Sequence, residues 1–261
     1  MKKVISFLRF AVPIVILMAL AFGYLYAPNS PTKTNILYKL QPASEEFPFG
    51  TDELGRCVFS RILEGGHITL GIVLIGAMIV FLLGIALGMV FARTRSEILS
   101  DSILNAVTAI PPIAYLIILI GIWGNSIPTM IVALTASLIL RTVRLVMSLV
   151  ETEYRKAYVK CAIACGANRP RILIVHILPM ILRDVVQYLC LSCADMVLAI
   201  SGFSFIGLTL GADIIDWGSM LSNARRLSSM RPALLWWPIL FIFVSSLCFN
   251  LLGQSLKRRE N

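Results

Sequence analysis

Six stretches of apolar residues, each close to the length that crosses a bilayer, constrain this chain more than any other feature. A helix needs about 20 residues to span the hydrocarbon core. Lipid offers no partner to a free backbone amide, so runs of this kind fold as helices. The expected spans are Val4 to Tyr26, Ile68 to Phe91, Ile98 to Trp123, Ile127 to Val150, Val185 to Ile206 and Pro232 to Leu252. Apolar residues make up 58% of the 261 and charged residues 14%, a balance that no soluble chain of this size requires. The expected fold class is an all-α integral membrane protein with six transmembrane helices.

Charge sets the orientation. Of the 23 Lys and Arg, only Lys33, Lys39, Arg56, Arg61, Arg225, Arg226 and Arg231 fall on one side of the predicted spans. The richer side is cytoplasmic by the positive-inside rule, which places both termini inside. The net charge of +9 would suggest nucleic acid in a soluble chain. Here the positive residues read as anchors at the lipid surface, no aromatic-basic motif accompanies them, and no nucleic acid partner is expected. Lys2, Lys3 and Arg9 precede the first apolar run as they would in a signal peptide, but no small-x-small cleavage site follows cleanly, so a retained first helix is expected. Of the six cysteines, Cys57 alone lies in a predicted external segment and has no evident disulfide partner. Cys190 and Cys193 have C-x-x-C spacing but sit in an apolar run, where cysteine is a small packing residue. No metal site is expected.

Between the fourth and fifth spans lies a charged stretch, residues 151–183, with Arg155, Lys156, Lys160, Arg169, Arg171 and Arg183. Tyr154, Tyr158, Cys161, Ala162 and Cys165 recur at three- and four-residue spacing, the signature of one helix face. Gly166 stands where a helix takes a left-handed C′ residue, and Pro170 suits the first turn of a second helix. Leu178-Pro179 is expected to end or bend that helix. A short helix, a glycine turn and a second helix should project into the cytoplasm.

Ala162, Gly166 and Leu178-Pro179 resemble the EAA loop of ABC importer permeases, with Lys160 at the usual glutamate, Cys161 at the first alanine and His176 at the isoleucine. Gly50-Thr51-Asp52-Glu53-Leu54-Gly55-Arg56 with Phe59-Ser60-Arg61 is similar to a signature of the dipeptide, oligopeptide and nickel permease subfamily, in its second (C-type) subunit. Cys57 replaces an aspartate of that signature and His67 an arginine. Ser204-Phe205-Ile206-Gly207-Leu208, Asp216-Trp217-Gly218-Ser219-Met220-Leu221 and Phe249-Asn250-Leu251-Leu252-Gly253 resemble later runs of the same subfamily, with Gln254 in place of an aspartate. Ile200 stands where peptide permeases often carry a glutamate, which leans toward the nickel branch.

The resemblance implies the type I ABC importer permease fold, with a coupling helix that docks on an ATPase subunit through Tyr158, Lys160, Cys161, Ala162, Gly166 and Ala167. It further implies a heterodimer with a homologous B-type permease, two ABC ATPase subunits and an extracytoplasmic solute-binding protein, in the cell inner membrane. ATP is then used by the partner subunits, and this chain binds no cofactor. Cargo is nickel or a metal chelate, or alternatively a dipeptide or oligopeptide.

The expected organisation is a first helix over 1–27, an external segment over 28–67 that includes GTDELGR, a five-helix core over 68–256, and a cytoplasmic tail over 257–261. Read physically, Gly50 and Gly55 permit tight turns and Thr51 or Asp52 can cap a short helix. Gly71, Gly76, Gly84 and Gly88 lay small residues along one side of the second span, which lets helices approach closely. Pro111-Pro112 should kink or break the third span, making it a candidate gate. Asp195 is the one acid deep in a predicted span, a pathway candidate by default or else a partner to a neighbouring helix. The sequence holds no P-loop, HExxH or GxSxG motif, so it offers no catalytic chemistry of those kinds. A stand-alone secondary carrier would be expected to show internal repeats and several intramembrane ionisable groups, and Asp195 alone does not meet that pattern.

Overall fold

The computed structural model describes residues 2–94, 111–211, 213–227 and 229–256. Its elements are helical: α1 (Lys2–Phe22), α2 (Val58–Thr94), α3 (Pro112–Trp123), α4 (Ile127–Tyr154), α5 (Ala157–Ala164), α6 (Arg169–Phe205), α7 (Trp217–Arg225) and α8 (Ala233–Leu256). Short 3-10 turns follow α1 at Gly23–Tyr26 and shape the next loop at Ile36–Tyr38. Five helices are long and apolar enough to cross a membrane, and α3 contributes a shorter apolar segment.

α2 packs most extensively on α4, and α6 on α8; α1 lies across α8 and α2. The central core joins Val73, Met130, Ala133, Met196, Val197 and Ile200 from α2, α4 and α6. One end of the bundle is closed by Val80, Val146, Val150, Val159, Ile177 and Ile181. The other end is closed by Val58, Ile62, Ile215, Met220 and Leu234. Large apolar side chains remain exposed along the outside of α2 at Leu74, Ile75, Met78, Leu82 and Leu83, as a lipid-facing helix requires.

Of Gly71, Gly76, Gly84 and Gly88, three mark close approaches. A Cβ on Gly76 would come within 2.5 Å of Met196 Cε, on Gly84 within 2.5 Å of Thr142 Cγ2, and on Gly88 within 2.6 Å of Val146 Cβ, whereas Gly71 has nothing within 4 Å. The α2–α4 contact therefore depends on Gly84 and Gly88. Gly84→Leu should cost about 1–3 kcal/mol through overpacking and lower the melting temperature of the purified protein, while Gly71→Ala should leave it unchanged.

Several boundaries differ from expectation. α2 begins at Val58 rather than near Ile68, because its first turns hold polar side chains that find partners: Arg61 reaches the Pro31 carbonyl and His67 the Ala21 carbonyl. The fifth span begins at Arg169, not Val185. Leu178-Pro179 neither ends nor breaks it, because a π turn over Ile172–Ile177 leads into an α segment that places Pro179 in its first turn, where a missing N–H costs least. Pro111 and Pro112 open α3, the shorter apolar helix, in its described part. Pro111 is extended at φ −62°, ψ 143°, and Pro112 occupies the first turn, the arrangement a residue before proline favours. The part of the predicted third span before Pro111 lies outside the described residues.

Candidate functional site

The charged stretch between the fourth and fifth spans forms a rigid arm. α4 runs to Tyr154, and Lys156 turns the chain with extended backbone (φ −76°, ψ 152°) into α5. The arm is pinned at Glu153, only 6% exposed. The Lys156 ammonium pairs with one of its carboxylate oxygens, and the Tyr158 hydroxyl donates to the other at 2.7 Å. Burial, followed by the bond to Glu153 and its charge, pushes the Tyr158 phenol up to about 12. Glu153 did not stand out in the sequence as more than one more charge; its spacing of three from Lys156 and five from Tyr158 was the available signal.

At its far end α5 closes with paired bonds. The Gly166 amide donates to Ile163 O at 2.9 Å and the Ala167 amide to Ala162 O at 3.0 Å, the Schellman pattern. Gly166 takes φ +82° in open space, with no atom near a would-be Cβ. Asn168 then caps α6, accepting from the Arg171 amide at 3.0 Å, and Pro170 falls in the first turn as expected.

The faces of α5 differ from the sequence reading in one respect. Tyr158, Lys160, Cys161, Cys165 and Gly166 are exposed, with Ile163 at 48%. Tyr154 and Ala167 instead pack toward the body of the protein, and Ala162 is half-buried. The anchor is Val159, fully buried and not distinguished in the sequence. The arm thus presents a thiol-bearing, partly apolar outer face on a fixed base.

At the opposite end, GTDELGR folds into a knot. Asp52 accepts from the amides of Leu54 and Arg56, both at 2.9 Å, pairs with Arg56 Nε at 2.7 Å and approaches Arg61 Nε at 3.5 Å. The Thr51 hydroxyl donates to the Tyr38 carbonyl and accepts from the Gln41 amide. Asp52 therefore closes a turn rather than capping a helix. Gly55, at φ +71°, leaves no room for a side chain, because a Cβ would overlap Asn35 O. Cys57 is a buried free thiol.

The Asp216-Trp217-Gly218 run packs beside this knot. Trp217 is fully buried and its indole donates to Ile62 O at 2.9 Å. A Cβ on Gly218 would overlap Ser201 O of α6, so α7 rests on bare backbone. Asp216 caps α7, its Oδ2 accepting from the Gly218 and Ser219 amides, while its Oδ1 is buried beside Ser204. Burial pushes the Asp216 carboxyl up, against the opposing effect of the Ser219 and Gly218 hydrogen bonds. A carboxyl raised in the folded state binds its proton more readily than in the unfolded chain. Its contribution to stability is therefore greatest below the ordinary carboxylate range and falls as pH rises through the raised value. Asp216→Asn keeps the cap acceptor and should flatten that slope in thermal melts taken from mildly acid to neutral pH.

Asp195 is exposed on α6, on one stripe with Leu198, Gly202 and Ile206, and turns away from this chain's own bundle. No hydrogen bond or ion pair joins it to another described residue. Pro111 is exposed at the foot of α3.

Residues 80–261 match the family described as binding-protein-dependent transport system inner membrane component. The chain belongs to this family. A probable peptide ABC transporter permease from Sinorhizobium fredii is 32% identical over 92% of this chain and 82% of its own length. The nickel transport system permease protein NikC of Escherichia coli is 26% identical over 95% of this chain and 91% of its own. A putative peptide transport system permease from Brucella abortus is 29% identical over 98% and 88%. As a binding-protein-dependent inner membrane component, this protein is a permease subunit of an ABC importer and is not itself the catalyst. Its all-helical bundle of apolar spans is the body of that permease.

Proposed function

We propose that this permease forms one half of a translocation pathway, paired with a homologous permease as a heterodimer, driven by two ATPase subunits and loaded by an extracytoplasmic binding protein. Both termini and the α5 arm lie in the cytoplasm, and the GTDELGR knot lies outside. The observation that carries this reading is the arm: a short helix with an exposed face of Tyr158, Cys161, Ile163 and Cys165, locked to α4 through Glu153 and continuous with α6 through the Gly166 turn. A rigid projection of this kind transmits movement of a docked partner instead of absorbing it. Lys160, Cys161, Gly166 and Tyr158 make its outer surface; Ala162 and Ala167 seat it. ATP binding on the partner subunits moves the arm, and the helices alternate between inward and outward opening, each state favoured by one nucleotide state. In this reading Asp195, whose exposure on α6 supports it, faces the pathway or the second permease.

Cargo is nickel or a metal chelate, supported by Ile200 at the position of the peptide-branch glutamate and by the similarity to a nickel permease. A dipeptide or oligopeptide is the second reading, supported by the similarity to two peptide permeases. Uptake of labelled nickel, with and without a chelator, against labelled dipeptide in cells with and without the gene separates them. Loss of nickel uptake alone establishes the metal reading; loss of dipeptide uptake alone establishes the peptide reading.

A further inference from the structure

A cleft of about 340 Å³ opens between the knot and α7, lined by Arg56, Arg61, Thr209, Asp213, Ser219 and Asn223 among others. Its size is at the lower end for small-ligand sites, roughly 300–1,000 Å³. Two guanidinium groups meet here over a single carboxylate. Arg56 engages Asp52 through Nε, and Arg61 approaches the same oxygen while one Nη donates to the Pro31 carbonyl at 3.1 Å. Their other N–H groups have no partner among the described residues, and the two guanidinium charges outnumber the one carboxylate they share. Both side chains are largely buried, at 17% and 8% exposure,. Gly55 wedged against Asn35 and the turn closed by Asp52 hold them in place.

Guanidinium donors match a carboxylate in a planar, two-bond geometry, and a partly desolvated pair that is already fixed loses little freedom on binding. A bare divalent cation would be repelled by the same pair. Asp213 on the same lining offers a counter-charge to an ammonium, and Ser219 and Asn223 offer neutral polar contacts.

We propose that this cleft receives a carboxylate of the imported solute, so that cargo enters as a peptide or as a carboxylate chelate of a metal and not as a free metal ion. This rests on the importer reading above and narrows its substrate class.

The test uses the transporter assembled with its permease and ATPase partners in nanodiscs, without the binding protein. Equilibrium binding is measured for labelled dialanine, dialanine amide, nickel alone and nickel citrate. Dialanine or nickel citrate is expected to bind, and the amide and nickel alone are not. Asn223→Asp sets a carboxylate against the arginines with almost no change of shape, and should weaken binding about tenfold or more. Arg61→Lys, which keeps the charge but loses the fork, should also weaken it. Absence of carboxylate-dependent binding to the wild-type complex overturns the proposal, as does binding that Asn223→Asp leaves unchanged. If no small carboxylate binds and Asn223→Asp instead abolishes affinity for the binding protein, the cleft seats an acidic side chain of that protein and the proposal falls. Uptake into proteoliposomes with the binding protein, run in parallel, keeps the two readings apart. A complex that imports without binding carboxylate at the cleft refutes the cleft alone; one that binds carboxylate but imports nothing refutes the importer reading.

Discussion

Replacing Gly166 by valine should abolish transport while leaving the complex assembled. The glycine sits at φ +82° with no atom within 4 Å of a would-be Cβ, so steric room is not the obstacle. The backbone is. A left-handed conformation costs an ordinary L-residue about 1–2 kcal/mol, and a β-branched one more. The turn would relax toward negative φ and give up the paired bonds from Gly166 and Ala167, and with them the fixed angle between α5 and α6. The expected phenotype is ATP hydrolysis that continues but no longer drives uptake, read as a loss of the transport-to-hydrolysis ratio in proteoliposomes. Gly166→Asn should restore much of the coupling, since asparagine tolerates this conformation. Equal loss in both variants would mean that the turn's angle is irrelevant, and normal transport by the valine variant would remove the arm from the mechanism.

Glu153→Ala should have the second largest effect. It frees Lys156 and Tyr158 together, and a hydrogen bond to a charged acceptor contributes about 1.5–3 kcal/mol. Lys156 is 43% exposed and turns to water at little cost. Tyr158 loses the partner that holds it against α4, so α5 is expected to pivot about its remaining anchor, Val159. Uptake should fall at least about tenfold, and Tyr158→Phe, which keeps the carboxylate and the ring, should fall less. Cross-linking between a cysteine on the ATPase and the native Cys161 or Cys165 reports the pivot directly. An unchanged cross-linking pattern in Glu153→Ala would show that the strut does not position the arm.

Most of the helices and the arm were legible because they rest on composition and on two residues with unusual backbone roles, Gly166 and Pro170. Boundaries failed where charge was mistaken for loop. Arg61 and His67 fell in the segment expected to be external, yet both are satisfied by carbonyls from segments distant in the chain. Leu178-Pro179 looked like a break because a proline normally forbids continuation, and no local pattern announced the π turn before it. The knot was legible in its glycines and not in its purpose. That Arg56 and Arg61 share Asp52 beside α7 depends on Trp217 reaching Ile62, a contact across 155 positions. Val159 carried no mark, since a single valine among apolar neighbours does not reveal which way it faces.

α6 extends without interruption from the Gly166 turn to Phe205, 37 residues, roughly 55 Å at 1.5 Å per residue. One end is the foot of the arm; near the other, Ser201 supports Gly218 and the start of α7. A stiff rod spanning the whole bilayer relays displacement in step, with no slack from intervening loops. Its one irregular segment among the described residues is the π turn at Ile172–Ile177, close to the arm, so in the proposed coupling any give in the linkage sits at that end. Under the proposed coupling, opening of the outer mouth is timed by events on the opposite surface of the membrane without any chemical messenger crossing it.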